Sequence, residues 1–315
     1  MSGLVTLGET LGLIVAESAG PPRVGSGFRL AVGGAESNVA IGISRLGGDA
    51  TWIGRVGSDE VGSQIVRELY AERVGMRLVT DPDAQTGLML KTRPVPGSSR
   101  VRYYRQGSAG SRLSRSDILA AEEEIVAADI LHVTGITPAL SASAADAVLA
   151  ALAIAQSNGI AISFDVNHRS ALWRTEPAPA IYRAIASQAS IVFAGADEAA
   201  LIVGDGTPET LAERIADLGP TEVIVKLGAA GSYALIDGQQ HRQSAFSVPV
   251  VDSVGAGDAF VAGYLSERMA SSAPAKRLRT ASLAGAFACL GPTDWEGYPR
   301  QADLDLLVAT EPVAR

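Results

Sequence analysis

A glycine-rich segment in the last quarter of the chain carries the residues best suited to chemistry. It reads Val251-Asp252-Ser253-Val254-Gly255-Ala256-Gly257-Asp258-Ala259-Phe260 and leads into a predicted helix over Ala256–Met269. Small residues let a phosphate approach the backbone, and the free N–H groups at a helix start bind negative charge. Asp258 could cap this helix or act as the general base for a hydroxyl that attacks a phosphoryl group. The segment therefore predicts an anion hole at residues 255–257 beside a candidate base.

Two arginines elsewhere are candidates for recognition of an acidic ligand. Residues two apart in a strand share a face, so Tyr103 and Arg105 are expected to point the same way. Arg169 follows a predicted strand over Ile160–Asp165, at the edge where open α/β sheets bind ligands. A guanidinium offers a planar fork that suits a carboxylate. The alternatives are a solvated edge charge for Arg105 and a structural ion pair for Arg169.

The elements that must position these residues follow a regular alternation of strands and helices. Strands are predicted at Leu4–Leu7, Ala50–Ile53, Ile130–Val133, Ile160–Phe164, Ile191–Phe193 and Val223–Val225. Helices are predicted at Glu36–Leu46, Gly62–Arg73, Ser143–Gln156, Pro208–Leu218 and Ala256–Met269. Because the strands are apolar on both faces, helices are expected to cover both sides of the sheet. The alternation predicts a parallel sheet within an α/β fold.

Two early regions interrupt this alternation. Thr10–Leu30 is strand-like and rich in glycine and proline, and Thr86–Arg105 alternates polar and apolar residues around a turn at Pro94–Gly97, which is typical of a β-hairpin. We expect the two regions to pair into a small sheet that serves as a lid. The α/β core then comprises residues 1–9, 31–85 and 106–310, and residues 311–315 are expected to fray.

The composition excludes several classes of protein. Among 315 residues, 26 Lys and Arg stand against 34 Asp and Glu, a net charge of −8, which argues against binding to nucleic acid or to a membrane surface. A single cysteine, Cys289, excludes a disulfide framework, and the wide spacing of the three histidines argues against a zinc site. No secretory signal and no membrane-spanning stretch is recognisable, so the predicted location is cytoplasmic.

The sequence resembles the ribokinase-like (phosphofructokinase B) family of carbohydrate kinases. Gly255-Ala256-Gly257-Asp258 resembles the second family signature, and Val32–Ala40, which reads VGGAESNVA, resembles the first. Tyr103–Ala109 and Asp165–Arg169 are most similar to the 2-keto-3-deoxygluconate kinase branch. The resemblance implies a three-layer α/β/α sandwich with a mostly parallel central sheet and a small β-sheet lid. It also implies ATP-dependent phosphorylation of the terminal hydroxyl of a sugar acid, with Mg²⁺, to give a 6-phosphate.

The resemblance assigns site residues by position. The catalytic residues would be Asp258 with the amides of Gly255, Ala256 and Gly257. The substrate would contact Gly34, Asn38, Met89, Tyr103, Arg105, Arg169 and Asp258. ATP would contact Lys226, Gly228, Ala229, Gly231, Gly255, Gly257, Ser282 and Gly285, with Ala288 also beside the adenine. Glu198 would reach magnesium through water.

Three positions depart from the family pattern. The N-x-x-E motif linked to magnesium is Gly195–Glu198 here, a tyrosine that contacts the sugar is Met89, and Val254 replaces a threonine, which leaves activation by a monovalent cation open. Two alternative functions remain: a kinase for a neutral sugar or nucleoside (fructose, ribose or an imidazole riboside), and a catalytically silent nucleotide-binding regulator. The open edge of the lid sheet predicts a homodimer or higher homo-oligomer through the lid.

Overall fold

The structure, a computed structural model, describes residues 3–95, 99–173 and 178–307. The predicted frayed tail at 311–315 lies outside these residues, as do Pro96 and Gly97 of the predicted hairpin turn. The strands are β1 (Gly3–Leu7), β2 (Leu11–Ala19), β3 (Phe28–Gly33), β4 (Asp49–Gly57), β5 (Gly75–Asp81), β6 (Leu88–Arg93), β7 (Arg100–Tyr104), β8 (Ile130–Thr134), β9 (Ala161–Asp165), β10 (Ile191–Gly195), β11 (Glu222–Lys226), β12 (Ser232–Ile236) and β13 (Gln239–Gln243). The helices are α1 (Ala35–Arg45), α2 (Glu60–Ala71), α3 (Arg115–Leu119), α4 (Glu122–Val126), α5 (Ala142–Ser157), α6 (Ala178–Ala186), α7 (Ala196–Val203), α8 (Pro208–Ala216), α9 (Ala256–Met269) and α10 (Pro274–Ala288).

A large, mostly parallel sheet forms the centre of the molecule. In the described residues it has nine strands in the order β13-β12-β11-β10-β9-β8-β1-β4-β5. Its pairs are parallel from β5 to β11, and β12 and β13 join as antiparallel hairpins at one edge. All six strands predicted from apolar runs belong to this sheet, so the prediction of a parallel α/β core is confirmed.

Side chains of the central strands alternate between two apolar layers. On β10, Val192 and Ala194 face one buried cluster, whereas Ile191 and Phe193 face the other. Helices α5, α6 and α8 pack in the first layer, and α1, α9 and α10 pack in the second. Each large apolar side chain buried in this way contributes about 1.5–3 kcal/mol. The result is the predicted three-layer α/β/α sandwich.

A second, four-stranded sheet covers one end of the core. Its order is β3-β2-β6-β7, with β2 parallel to β6 and the other pairs antiparallel. A small buried cluster lines its inner face: Leu11, Leu13, Val15, Ala31 and Met89. The two regions that interrupt the alternation therefore do pair with each other, and β3 extends to Gly33. None of the helices in the described parts of the chain has the length and apolar character needed to cross a membrane.

Candidate active site

A cavity of about 1000 Å³ lies between the lid sheet and the carboxyl ends of the central strands. Asp165, Gly195 and Lys226, at the ends of three neighbouring strands, line its floor. Met89 and Tyr103 line it from the lid. Polar residues collect at this edge because parallel strands all end there, as is usual for ligand sites in open α/β sheets.

The start of α9 forms the anion-binding end of this cavity. Gly255 has φ 81° and ψ −11°, in the left-handed region, and no side chain caps the helix. A Cβ on Gly255 would clash with the carbonyl oxygen of Asp294, so only glycine fits there. The Ala256 N–H already donates to the Ser253 carbonyl oxygen over 3.3 Å, whereas the Gly257 N–H has no partner among the described residues and is available to an anion.

Asp258, the candidate base, is held by two asparagines. Asn38 Nδ2 donates to its Oδ2 over 2.8 Å, and Asn167 Nδ2 donates to its Oδ1 over 3.3 Å. The carboxylate is buried and oriented by these bonds and does not cap the helix. Asn167 was not assigned a role from the sequence; its φ of 37° is a left-handed conformation that asparagine tolerates.

Burial raises the pKa of Asp258 to about 7. The bond from Asn38 and the charge of Arg169 work against this rise, whereas Asp165 and Asp294 add to it. A carboxyl group with this pKa is partly ionised at neutral pH and can accept a proton from a hydroxyl, which is the property that a general base needs.

Asn38, which was expected to bind the sugar, lines the large cavity and also contacts the base. Its side chain is buried, and Oδ1 accepts a hydrogen bond from the Gly34 N–H over 3.3 Å. Gly34 and Asn38 belong to the first signature, and Asp258 belongs to the second. The side-chain amide of Asn38 therefore links the two signatures. Gly34, which was predicted to contact the substrate, also lines the cavity.

Lys226 stands between the large cavity and a second one of about 530 Å³, and it lines both. Its Nζ lies 2.8 and 2.9 Å from the two carboxylate oxygens of Asp165. Burial lowers the pKa of Lys226, but the negative charges of Asp165 and Glu198 outweigh the effect of burial, so the pKa is raised overall. The Lys226 ammonium is therefore held at the boundary between the two cavities. A group that moves from one cavity to the other would pass beside this positive charge.

Most of the residues predicted to contact ATP line the second cavity, whereas Gly255 lines the large one. Gly228, Ala229, Gly231, Ser282 and Gly285 all line it. Apolar side chains that the sequence pattern did not single out, among them Phe246, Val250 and Phe260, complete the wall. Ala288 was expected beside the adenine, but it is buried in the core layer of α9 and α10 and is not part of the lining.

Tyr103 and Arg105 line the large cavity together, as their spacing predicted. Arg105 is neither solvated nor free, because its Nε donates to Glu9 Oε2 over 2.6 Å and its Nη2 lies 2.5 Å from the same oxygen. Its guanidinium also lies 5.5 Å from the centre of the Tyr103 ring. Glu9 was not predicted as a site residue, although it is the acidic residue that interrupts an apolar amino-terminal run.

Arg169 has a different environment. It lines the cavity, and its Nη1 donates to the backbone carbonyl of His168 over 3.3 Å. Within residues 3–95, 99–173 and 178–307 it forms no ion pair, so the alternative of a structural ion pair is not what the structure shows. Its charge faces the same cavity as Asp258.

Glu198 lines the cavity and binds two backbone N–H groups at its rim. Its Oε1 accepts from the His168 N–H over 2.8 Å, and its Oε2 accepts from the Gly195 N–H over 2.7 Å, at the start of α7. The described residues contain no group of three or more His, Cys, Asp or Glu side chains arranged to hold a metal ion. A cation here would need ligand oxygens from elsewhere, such as phosphates and water.

Asp294 is another site residue that the sequence did not reveal. It is buried, lines the cavity, and leaves its Oδ1 without a hydrogen-bond partner in the described structure. Burial raises its pKa to about 6, and the charge of Lys91 works against that rise. It lies in an irregular segment with no helical or strand periodicity, so no local pattern marks it.

Comparison with known proteins gives a consistent result. Residues 1–295 match the model of the pfkB family of carbohydrate kinases. The 2-dehydro-3-deoxygluconokinase of Bacillus subtilis is 34% identical over 305 residues, which cover 95% of this chain and 93% of that one. The enzyme of the same name from Thermoproteus tenax is 37% identical over 311 residues, 96% of this chain and 94% of that one.

Solved structures agree with these sequence matches. A putative ribokinase II from E. coli, in complex with ATP and Mg²⁺, superimposes with a TM-score of 0.90 at 26% identity and covers 98% of this chain and 99% of that one. A fructokinase double mutant from Vibrio cholerae, with fructose, ADP and potassium bound, gives a TM-score of 0.86 at 28% identity, again over 98% and 99% of the two chains.

Proposed function

The chain belongs to the pfkB family of carbohydrate kinases, and we propose that it transfers the γ-phosphoryl group of ATP to the terminal hydroxyl of a sugar acid. The preferred acceptor is 2-keto-3-deoxygluconate, and the product is its 6-phosphate. The observation that carries this proposal is Arg169, a guanidinium without an ion pair among the described residues, in the same cavity as the base Asp258. The names of the two relatives that match over nearly the whole chain support it.

In the proposed reaction the hydroxyl oxygen of the sugar attacks the γ-phosphorus. The bond from that phosphorus to the β,γ-bridging oxygen breaks, and ADP leaves. The hydroxyl proton passes to Asp258, whose oxygens Asn38 and Asn167 hold in place. The amides of Gly255, Ala256 and Gly257 stabilise charge on the migrating group.

The two cavities divide the substrates between them. ATP occupies the smaller one, with its adenine along α10 near Ser282 and Gly285 and its ribose or phosphates near Gly228, Ala229 and Gly231. The sugar occupies the larger one below the lid. Lys226 Nζ lies 3.7 Å from the position of a Cβ on Gly257, so the lysine stands beside the anion hole where the phosphoryl group would cross.

The oxygen ligands at the rim suit magnesium, which prefers carboxylates, phosphates and water. Glu198 would hold the ion through water, because both its oxygens already accept backbone N–H groups and a direct bond would compete with them. When bound with ATP, Mg²⁺ neutralises charge on the phosphates. Both related structures that we describe above contain nucleotide, and one contains Mg²⁺.

Recognition of the acid would use both arginines. Nε and Nη2 of Arg105 face Glu9, which leaves Nη1 for a ligand. Arg169 offers its guanidinium without competition from any carboxylate among the described residues. The Tyr103 hydroxyl and the thioether of Met89 complete the lining on the lid side.

A kinase for a neutral sugar such as fructose is the second candidate, and the Glu9–Arg105 pair favours it. Because these two charges cancel, the pocket is less positive than the two arginines alone suggest. The oriented base and the intact glycine run argue against the third hypothesis, a catalytically silent regulator.

We also propose that the lid sheet closes over the sugar and that its edge joins two subunits. The edge strand β7 exposes Val101, Tyr103 and Tyr104, which pairing with a second copy would cover. The cytoplasmic location likewise stays a prediction, and the sequence leaves activation by a monovalent cation open.

The proposed function is tested by measuring ADP release with a panel of acceptors: 2-keto-3-deoxygluconate, 2-keto-3-deoxygalactonate, fructose, ribose and an imidazole riboside. We expect kcat/KM for a keto-deoxy acid to exceed that for fructose by about a hundredfold or more, because a neutral sugar leaves the arginines without their anion. Phosphorus NMR of the product should place the phosphate on the terminal oxygen. Preference for fructose or a riboside would replace the proposal with the second candidate.

A further inference from the structure

One buried charged residue has no part in the reaction described above. Lys91 lies on β6 of the lid sheet, its side chain is 0% exposed, and its ammonium contacts the carboxylate of Asp252, which is also buried. Removing an ion pair from water this completely carries a large desolvation penalty, so such pairs are poor devices for stability alone. The position of Asp252 indicates what the pair contributes.

Asp252 belongs to the loop that leads into the anion hole. Its Oδ1 accepts the N–H of Val254 over 3.1 Å, which shapes the turn before Gly255. The N–H groups of Val251 and Asp252 both donate to the carbonyl oxygen of Cys289, at the end of α10, over 2.8 and 3.3 Å. Lys91 therefore connects the lid sheet to the loop whose amides face the phosphoryl group.

The surroundings of this loop are rich in negative charge. The Asp294 backbone packs against Gly255, and the electrostatic influence of both Lys91 and Asp252 reaches the Asp294 carboxyl group. Asp294 in turn acts on Asp258, the proposed base. The phosphates of ATP would add further negative charge. The ammonium of Lys91 supplies a fixed positive charge that partly neutralises this negative charge.

We propose that the ammonium of Lys91 takes the place of a monovalent cation beside the anion-hole loop, so that phosphoryl transfer does not require potassium. A monovalent cation that stabilised this loop would bind the Asp252 carboxylate. That carboxylate is already paired with the Lys91 ammonium, which carries the same single positive charge as such a cation. A potassium ion, of the kind that the related Vibrio cholerae structure contains, therefore does not fit beside the Asp252 carboxylate while Lys91 is in place. Lys91 is a positioning residue that acts through Asp252, and the inference rests on the proposed phosphoryl transfer.

The first test uses the unmodified protein. Turnover is measured with the best acceptor of the panel, in potassium chloride and in tetramethylammonium chloride at equal ionic strength. We expect the same kcat in both salts. Strong activation by potassium would overturn the proposal without affecting the assignment of the acceptor, because both assays use the same sugar.

The second test removes the charge with Lys91→Met, which keeps most of the length of the side chain. In tetramethylammonium salt we expect kcat to fall by about tenfold, less than the loss of a direct oxyanion-hole donor, with little change in KM for the sugar. Potassium or ammonium ions should restore part of this loss. Lys276→Met is the matched control, because Lys276 also pairs with a buried acidic residue, Glu267, but its own side chain is 61% exposed; its kcat should equal that of the unmodified protein in both salts.

Two further results separate a role in the reaction from a purely structural one. If Lys91→Met does not fold, the double variant Lys91→Met/Asp252→Asn leaves no unpaired buried charge; it should fold, turn over slowly and gain nothing from potassium. Full activity of either variant, or a loss that no cation restores in folded Lys91→Met, would overturn the proposal. If no acceptor in the panel is phosphorylated, the proposed function fails. The proposal for Lys91 is then tested by measuring, in the two salts, the affinity of the protein for the magnesium complex of a non-hydrolysable ATP analogue. Much tighter binding in the potassium salt would overturn the proposal for Lys91.

Discussion

Asn38 donates a 2.8 Å hydrogen bond to Asp258, although 220 positions separate the two residues in the chain. The same asparagine accepts the N–H of Gly34 through its Oδ1. The two glycine-containing signatures thus meet at the carboxylate that would accept the proton. This bond fixes the orientation of the base and lowers the pKa that burial raises.

Asp258→Asn tests the base directly. The variant keeps the shape of the side chain but cannot accept a proton, so we expect kcat to fall by roughly 10²–10⁴, with ATP binding unchanged. Steady-state kinetics with calorimetric measurement of nucleotide affinity would show both. Near-normal turnover would remove Asp258 from the mechanism.

The pKa of about 7 for Asp258 predicts the acid limb of the pH profile. The base works only when ionised, so kcat/KM should rise with pH, level off above about 8 and fall about tenfold per pH unit below about 6. Arg169 and Asn38 favour the ionised form, whereas Asp165 and Asp294 disfavour it. Asn38→Ala should therefore move this limb to higher pH, besides lowering kcat. A limb that stays in place in Asn38→Ala would mean that another group controls it.

The same pKa predicts an effect on stability. Because the folded protein binds a proton at Asp258 that the unfolded chain has released above about pH 4, the carboxyl weakens the fold increasingly as pH rises towards 7. Asp258→Asn should thus be more stable than the unmodified protein at pH 8, by on the order of 3 kcal/mol, and should lose this advantage near pH 4. Urea unfolding at the two pH values measures the difference, and an equal advantage at both would contradict the assignment.

Gly255→Ala should damage both the fold and the site. The left-handed conformation disfavours alanine by roughly 1–2 kcal/mol, and the new Cβ would also clash with the Asp294 carbonyl oxygen. Gly47→Ala is the control, because Gly47 has φ 87° with no atom within 4 Å of an added Cβ. We expect a larger loss of Tm in Gly255→Ala, with a drop in kcat that Gly47→Ala does not show. Equal losses of stability would mean that the contact with Asp294 can relax.

The Arg169→Ala and Arg105→Ala variants should both raise KM, but only Arg105→Ala should lower Tm. Arg169 has no carboxylate partner among the described residues, so its removal should raise KM for a sugar acid about tenfold or more and leave Tm unchanged. Arg105→Ala removes the cation from buried Glu9, which keeps a hydrogen bond from the Ser108 hydroxyl, so it should lower Tm as well as raise KM for the acid more than for a neutral sugar. A KM effect equal for acidic and neutral sugars in both variants would argue against recognition of a carboxylate.

Elements with a strong local pattern were predicted well. Helix α9 has the predicted bounds, Ala256–Met269, because its apolar spacing and the glycines before it are local features. Strand β13 was missed because it lies at the sheet edge and reads Gln-Gln-His-Arg-Gln, with no apolar alternation. A late helix was expected at Ser282–Ala288 from the resemblance, but the bounds of α10 were not predicted, because small and polar residues make up much of its length and its burial depends on α9.

The amino-acid sequence by itself determined the alternation of the α/β core, the strand character of the two early segments, and the glycine segment beside a candidate base, since each depends on neighbouring residues. Only the tertiary structure decided the partners: Asn38 and Asn167 on Asp258, Asp165 on Lys226, Glu9 on Arg105, and Asp252 on Lys91. A hydrogen bond or ion pair forms over about 3 Å, and which side chains come that close depends on how separate elements pack, which no local pattern encodes.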